Sequence, residues 1–464
     1  MSSADSLSFS SLPLSKALLC NLKDLGYRQL TEIQAAALPV VLNGRDVIGQ
    51  AKTGSGKTVA FGLGVLNALK VEKFRVQALV LCPTRELADQ VARELRKLAR
   101  AIHNIKILTL CGGMPFGPQI GSLEHGAHIV VGTPGRIEEH VRKQTLVLDN
   151  VQTLVLDEAD RMLDMGFQES LDAIVGKVPK TRQTLLFSAT FPETISSLAK
   201  RVQQEPVLVK VESKHSTSSI EQHFYSVLSH HSRDHSLRDI LLHHRPLSTV
   251  VFCNTKRETG EVANYLRQAG FTALAINGDM EQRERDQTLV CFSNSSASVL
   301  VATDVAARGL DIDDLDMVIN YQLARDAEVH VHRIGRTGRA GKSGIAACLV
   351  GEKETHKFER LKSEYGYSQL LESVPKPAEE QMPTKPPMVT LQIDGGKKQK
   401  VRPGDIVGAL TGEGGIDGKL IGKIQIYDFC AYVAVSRAAS RAALAKLSKG
   451  KLKGRSYRVR VIGV

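Results

Sequence analysis

Residues 153–160 read Thr-Leu-Val-Leu-Asp-Glu-Ala-Asp, an apolar strand that ends abruptly in three carboxylates. A strand of Leu154, Val155 and Leu156 gains nothing from stopping at Asp157, Glu158 and Asp160, because unpaired carboxylates beside an apolar sheet are costly. The pattern fits the carboxyl end of a parallel strand, where a divalent cation carrying a phosphate compensates the charge. Taken alone, the segment is also compatible with a solvated loop that happens to hold three acids.

A second segment about a hundred residues upstream decides between these. Ala51-Lys52-Thr53-Gly54-Ser55-Gly56-Lys57-Thr58 follows a short strand at Asp46–Gly49 and leads into an apolar helix near Val59. Strand, glycine loop and helix together make a phosphate-binding loop, in which backbone N–H groups and a helix N-terminus face an anion. Lys57 is placed to reach the β and γ phosphates, and the Thr58 hydroxyl to coordinate Mg²⁺. Ala51 stands where the general pattern has its first glycine. With Asp157 as the acid that holds the metal through water, the two segments describe a site for a nucleoside triphosphate.

The chain of 464 residues is too long for one core and calls for two or three domains. No apolar run approaches the roughly 20 residues needed to span a bilayer, and the start Met-Ser-Ser-Ala-Asp-Ser lacks the features of a secretion signal. Seven scattered cysteines without metal-ligand spacing suit reduced thiols in a cytoplasmic protein with no membrane association. The net charge of +12 is concentrated at one end: residues 388–464 hold nine Lys and six Arg against four Asp and one Glu, or +10. Such a density is the electrostatic footprint of a polyanionic partner.

Up to about residue 210, apolar strands alternate with amphipathic helices, with strands expected at 78–82, 105–110, 128–131, 153–156 and 184–187. A polar stretch at 212–219 interrupts the pattern. A second alternating unit follows, with strands expected at 249–252, 273–276, 299–302, 317–319 and 345–350. Five prolines within residues 375–387 exclude helix or sheet pairing and imply an extended linker. The remainder reads strand, helix, strand, strand, helix, strand, an order that suits a small RNA-recognition-type sandwich. The expected division is therefore 1–210, 211–373, a linker at 374–387, and a basic domain at 388–464.

The strand ends carry a set of motifs. The first unit has Pro83-Thr84-Arg85-Glu86-Leu87, Gly112-Gly113, Thr133-Pro134-Gly135-Arg136, Asp157–Asp160 and Ser188-Ala189-Thr190. The second has Gln282 with Arg285, the run Ala302–Asp311 containing Thr303, and His332-Arg333-Ile334-Gly335-Arg336-Thr337-Gly338-Arg339. In this order and spacing they resemble the signature of the DEAD-box RNA helicases. Gly26-Tyr27 with Leu30-Thr31 and Ile33-Gln34 is similar to that family's adenine-reading Q motif, with Phe9 ahead of it. The resemblance covers nearly all of residues 9–365 and implies two tandem RecA-like parallel-sheet domains, to which the strand and helix order of the tail adds a small RRM-like α+β domain. Leu30 departs from the family's usual proline, and His330 stands where an aromatic is common.

The resemblance also implies roles. Gln34 would read the adenine edge while Phe9 packs on the ring; Gly54, Ser55, Gly56, Lys57 and Thr58 would hold the phosphates and Mg²⁺. Asp157 would hold the metal shell, Glu158 would orient and deprotonate the attacking water, and Asp311 would contact the ribose. Arg336 and Arg339 resemble the arginine pair that neutralises the transferred phosphate, which phosphoryl transfer needs more than covalent help. Ser188 and Thr190, with Asp160 and His332, would couple RNA binding to the ATP state. Thr84, Arg85, Gly113, Thr133, Arg136, Arg285 and Thr303 would contact the RNA sugar-phosphate backbone, a mode that carries no base information.

The basic tail resembles the C-terminal domain of the DbpA subfamily through Ile393–Lys398, Ile406–Gly412, Ile421–Ile424 and Tyr432–Val435. That likeness implies a target in large-subunit ribosomal RNA (the 23S type), with pre-ribosomal particles as the setting, and a monomer is the expected state. Ordinary RNA-recognition domains stack bases on sheet aromatics; here only Tyr432 stands at such a position. Recognition is accordingly expected through Lys397, Lys398, Lys400 and Arg402, together with Lys451, Lys453, Arg455 and Arg458. An ATP-gated RNA clamp or assembly scaffold, with incidental unwinding, is the alternative to a turning-over helicase.

Overall fold

The computed structural model describes residues 8–51, 54–211, 220–227, 230–307, 315–338, 343–378 and 381–463. The chain divides near residue 214 into two compact units.

The first unit is built on a seven-stranded parallel sheet. Its strands are β1 (Val47–Gln50), β2 (Ala78–Leu81), β3 (Ile107–Leu110), β4 (Ile129–Gly132), β5 (Thr153–Asp157), β6 (Gln183–Ser188) and β7 (Val207–Lys210), in the order β3-β4-β2-β5-β6-β1-β7. Val80, Val155 and Leu185 face one helical layer, and their neighbours Leu79, Leu154 and Leu186 face the other. Burial on both faces explains why these strands read as continuous apolar runs. The expected strands are present with ends shifted by one or two residues. Strand β7 was not among them.

The second unit holds another seven-stranded parallel sheet: β8 (Ile220–Val227), β9 (Thr249–Cys253), β10 (Ala273–Ile276), β11 (Val299–Thr303), β12 (Met317–Asn320), β13 (Gly344–Gly351) and β14 (Leu371–Glu372). Their order is β10-β11-β9-β12-β13-β8-β14. Here β8 and β14 are the additions to the expected set. After β14 the described residues of 375–387 form no helix or strand. They are nonetheless fastened down, since Gln381 donates Nε2 to the Leu242 carbonyl at 2.8 Å and Arg245 donates Nε to Thr384 Oγ1 at 3.3 Å.

The same unit ends in an antiparallel sheet of β15 (Met388–Ile393), β16 (Ile421–Ile426), β17 (Ala431–Ser436) and β18 (Val459–Ile462), ordered β16-β17-β15-β18. Helices Pro403–Thr411 and Ser440–Lys449 cover one face, burying Ile406, Leu410, Ala443 and Leu447 on Val389, Leu391, Ile393, Val433 and Val435. This is the expected βαββαβ sandwich.

Candidate ATP site and RNA-binding surfaces

Because the first sheet is parallel, the carboxyl ends of its strands share one edge, and the motif segments collect there. The helix Lys57–Ala68 starts directly from the glycine loop after β1, with Gly54 at φ +82° and Gly56 at φ +95°, conformations that favour glycine. Lys57 is buried and donates Nζ to the Ala51 carbonyl at 2.9 Å, across the mouth of the loop. The Ser55 hydroxyl is buried without a partner among the described residues. Thr58 occupies the helix's first turn, half-buried.

Gln34, on the helix Glu32–Leu42, is buried beside this loop. Its Oε1 accepts from the Thr31 N–H at 3.0 Å, and its Nε2 donates to the Gly56 carbonyl at 3.1 Å. A Cβ on residue 56 would fall 2.4 Å from that Nε2, so only glycine permits the approach. Phe9 lies buried in the core with its ring edge-on to Tyr27, 6.1 Å between centroids.

At the end of β5, Asp157 and Glu158 are both buried, and Glu158 takes the left-handed conformation (φ +54°) that turns the chain into the helix Ala159–Asp164. Burial raises the Asp157 carboxyl to about 7, against the pull of Lys57 and with a further push from Glu158. Asp157 Oδ1 has no partner among the described residues. The buried, unpartnered carboxylate oxygen of Asp157 and the hydroxyl of Thr58, in the first turn of the helix after β1, are oxygen donors of the kind Mg²⁺ takes, while the Lys57 ammonium has no lone pair and can serve only the phosphates. No group of three or more His, Cys, Asp or Glu among the described residues could hold a metal alone, and Mg²⁺ is ordinarily shared between one or two carboxylates and substrate phosphates. Glu158 pairs with Arg161 Nη1 at 2.6 Å, an ion pair the sequence reading did not anticipate.

Asp160 is bonded to the end of β6. Its Oδ2 accepts from both the N–H (3.1 Å) and the hydroxyl (2.9 Å) of Thr190. Burial alone would raise this carboxyl, but Arg161 and the Thr190 hydrogen bonds hold it below the ordinary carboxylate range. The Ser188 hydroxyl is fully buried with no partner among the described residues.

The remaining positions of the first unit cluster at the ends of β2, β3 and β4. Thr84 caps the helix Arg85–Leu98, accepting from the Leu87 N–H at 3.3 Å. Arg85 reaches Met114 Sδ at 2.9 Å, and Arg136 donates to the Met114 carbonyl and to Gln119 Oε1, both at 2.9 Å. Gly113, at φ +72°, is exposed, and Thr133 Oγ1 lies 3.5 Å from the Gly112 N–H.

In the second unit, Arg285 donates to the Ala306 carbonyl at 2.7 Å and the Thr303 hydroxyl accepts from the Ala306 N–H at 3.3 Å. Arg336 is buried and His332 half-buried. Asp311 and Arg339 lie outside the described residues. The residue the sequence reading passed over is Arg333. Wholly buried, it makes two bonds to Asp304 (2.6 and 2.7 Å) and one each to Asn320, the Gln322 carbonyl and Asn254 (2.8, 2.9 and 3.0 Å). One guanidinium thus ties together the ends of β9, β11 and β12. Its one mark in the sequence is its place inside the His332–Arg339 motif.

In the C-terminal sheet even Tyr432, the one aromatic at a stacking position and expected to be at most partly exposed, is covered. The sheet's second face, bearing Thr390, Gln392 and Tyr432, is 0%, 0% and 2% exposed. It is closed by the helix Gln282–Ser293 and the turn after it. Gln287 bonds Gln392 at 2.9 Å, Asn294 bonds Thr390 at 3.2 Å, and Ser296 and Thr390 share a hydroxyl–hydroxyl bond of 2.7 Å. Tyr432 is therefore not offered for stacking. Lys397, Lys398, Lys400, Arg402, Lys451, Lys453, Arg455 and Arg458 are all exposed. Lys453 is also engaged, with the Lys400 carbonyl at 2.9 Å and Asp405 at 3.3 Å.

Three family models match the chain: DEAD/DEAH box helicase over residues 31–198, helicase conserved C-terminal domain over 232–341, and DbpA RNA binding domain over 390–461. The chain is 53% identical to the ATP-dependent RNA helicase DbpA of Escherichia coli, across 97% of this chain and 98% of that protein. It is 45% identical to the DEAD-box ATP-dependent RNA helicase CshA of Bacillus anthracis, across 76% of this chain and 67% of that protein. Among solved structures, S. cerevisiae Dbp5 bound to RNA and ADP BeF3 matches with a TM-score of 0.71 at 29% identity, covering 78% of this chain and 95% of that one. The chain belongs to the DEAD-box ATP-dependent RNA helicases, with two RecA-like domains, an ATPase activity and an affinity for RNA. Within that family its full-length identity and its C-terminal domain place it in the DbpA subfamily.

Proposed function

We propose that this helicase locally unwinds or remodels large-subunit (23S-type) ribosomal RNA during ribosome assembly, directed there by its C-terminal domain. The observation that carries the proposal is the match of residues 390–461 to the DbpA RNA binding domain, on a segment that holds +10 of the chain's +12 charge. The domain layout proposed is the one read from sequence: helicase domains at 1–210 and 211–373, a linker at 374–387, and the RNA-targeting domain at 388–464. The protein acts in the cytoplasm as a monomer, on naked RNA and on pre-ribosomal particles.

In this reading Gln34 and Phe9 receive adenine, the 54–58 loop receives the phosphates, and Asp311 the ribose. Bound Mg²⁺, held by Thr58 and Asp157, supplies charge neutralisation at the phosphates. Glu158 orients the attacking water and takes its proton, and Arg336 and Arg339 offset the charge that develops on the transferred group. The Asp160–Thr190 bonds, with Ser188 and His332, relay RNA occupancy to the ATP state. The backbone-contacting residues (Thr84, Arg85, Gly113, Thr133, Arg136, Arg285 and Thr303) grip any RNA, and the eight exposed basic residues of the tail select one.

The test is ATPase rate against a panel of RNAs. Ribosomal RNA should stimulate best, and deletion of residues 388–464 should abolish that preference while leaving basal ATPase. Equal stimulation of the intact protein by every RNA refutes the targeting. A Glu158→Gln variant that supports assembly as well as wild type would show that turnover is dispensable and favour a clamp.

A further inference from the structure

In the C-terminal domain the sheet face on which RNA-recognition domains usually stack bases is closed, yet two aromatic rings are presented elsewhere. The turn between β16 and β17 is tight, with the Tyr427 N–H bonded to the Cys430 carbonyl at 2.8 Å. It carries Tyr427 and Phe429, 37% and 68% exposed, on either side of Asp428. A lone exposed aromatic carries no message. This turn, however, is locked to the basic turn that follows β15. The Lys397 N–H bonds the Tyr427 carbonyl at 2.8 Å, and the Lys398 N–H bonds the Asp428 carbonyl at 2.9 Å. Gly396 makes the approach possible, because a Cβ there would sit 2.2 Å from the Tyr427 oxygen. Tyr427 is braced from behind by Tyr432, edge-on at 5.5 Å between centroids.

Two adjacent turns therefore present different chemistry at fixed separation. Lys397, Lys398 and Lys400 offer exposed cations suited to phosphates, which position a strand without reading it. Phe429 offers an aromatic face, and a flat face beside cations is the arrangement that holds unpaired nucleotides. Asp428 at the tip repels phosphate, so the tip is fitted to a base and the lysine turn to the backbone. We infer that Phe429, supported by Tyr427, stacks an unpaired RNA base whose phosphates are held by the 397–400 turn, making the β16–β17 tip a base-reading site displaced from the sheet face. This deepens the RNA-targeting role of the C-terminal domain and rests on that reading.

The chain contains no tryptophan, so Phe429→Trp in the full-length protein introduces a single fluorescent reporter at the tip. Titration with a hairpin RNA bearing an unpaired purine loop should quench its emission, while a fully paired duplex of equal length should leave it unchanged. Phe429→Ala should weaken hairpin binding by about 5-fold to 150-fold, the range for loss of one stacked base, and duplex binding by less than twofold. Phe429→Leu keeps apolar bulk without an aromatic face and should behave as Phe429→Ala. Thermal melting confirms that both variants fold, as expected for so exposed a side chain. Unchanged emission with every RNA, or hairpin binding by Phe429→Ala or Phe429→Leu within twofold of wild type, overturns the site. Neither result touches the ribosomal preference of wild type, which the RNA panel measures separately; quenching by hairpins in general, without such a preference, would sustain the site and refute the ribosomal target.

Discussion

Gln34 donates its side-chain amide to the carbonyl of Gly56, so the residue proposed to read adenine is hydrogen-bonded to the glycine loop itself. An amide has two N–H donors and a carbonyl oxygen with two lone pairs. Among the described residues one of each is used, on Gly56 and on the Thr31 N–H, which leaves one of each for a nucleobase. Gln34→Ala strands both backbone partners, a loss of about 1–3 kcal/mol, and should raise the KM for ATP about 5-fold to 150-fold. Gln34→Glu keeps the acceptor for Thr31 but turns an oxygen towards the Gly56 carbonyl, and should be no better than Gln34→Ala. ATP titration of the RNA-stimulated rate checks this; a KM within twofold of wild type for Gln34→Glu contradicts it.

Arg333 should matter for stability before it matters for turnover. Its guanidinium is 1% exposed while the Asp304 carboxylate is 26% exposed, so Arg333→Ala leaves a carboxylate with only partial access to water and three further polar groups without their donor. Breaking a buried pair from one side costs about 3–5 kcal/mol; the partial exposure of Asp304 puts the expected loss near the lower end. Arg333→Lys cannot reproduce five donors in a planar fork and should recover less than half. Denaturant unfolding of the second unit measures both, and a loss below about 1 kcal/mol for Arg333→Ala would remove Arg333 as the tie between β9, β11 and β12.

The sequence made the catalytic edge legible because glycines, acids and hydroxyls at strand ends have few structural reasons to be there. Gly54, Gly56, Asp157 and Asp160 stand where that logic put them on the first sheet, each after a strand recognisable as an apolar run. The strands it missed lie beyond those runs. In β8, Ile-Glu-Gln-His-Phe-Tyr-Ser-Val is half polar, and β14 has two residues, both exposed. Thr390 and Gln392 were illegible for a different reason. Alternation along β15 separates two faces correctly, but it cannot say that a neighbouring domain covers the polar one, Tyr432 included. Arg333 escaped because a buried arginine shows itself only through partners that are 11 to 79 residues away in the chain.

His330 gives the fold a built-in sensitivity to acid. It is fully buried beside Phe224 and Tyr367, with centroids 6.1 Å away in each case, and neither ring nitrogen has a partner among the described residues. Burial, with help from the charge of Arg333, lowers its pKa from 6.5 to about 4. Between those values the unfolded chain binds the proton and the folded one does not, so stability is lost as pH falls through that window and is unaffected above it. At about 1.4 kcal/mol per unit, the loss by pH 4 is on the order of 3 kcal/mol. His330→Phe removes the titrating group and keeps an aromatic ring in the pocket. Its melting temperature should exceed that of wild type by a margin that grows from pH 6.5 to pH 4.5; a constant margin across that range would show that His330 does not titrate in this way. His140 in the first unit, also lowered to about 4, should keep its own share of the acid loss.

The seam at Thr390 decides whether the RNA-targeting domain moves with the second helicase domain or merely trails from it. One hydroxyl serves both Asn294 and Ser296, in a seam where Asn294 Oδ1 is already buried without a partner among the described residues. The edge is reinforced by Lys423 Nζ to the Ser293 carbonyl at 3.0 Å and by the Met388 N–H to the Ser295 carbonyl at 3.3 Å. Thr390→Val preserves shape and removes the hydroxyl, leaving two more buried polar groups unsatisfied at about 1–3 kcal/mol each before relaxation. A net destabilisation of about 2 kcal/mol is expected, borne by the junction because Val still packs against the sheet. Hydrogen exchange should therefore quicken at the Met388 amide and along the helix Gln282–Ser293, while the amides of β17 next to the domain's own core stay protected. RNA held by the tail would then be attached through a loosened joint, and unwinding of a duplex beside a preferred hairpin should fall more than ATP hydrolysis does. Exchange at Met388 as slow as in wild type would mean that the hydroxyl network does not hold the two domains together.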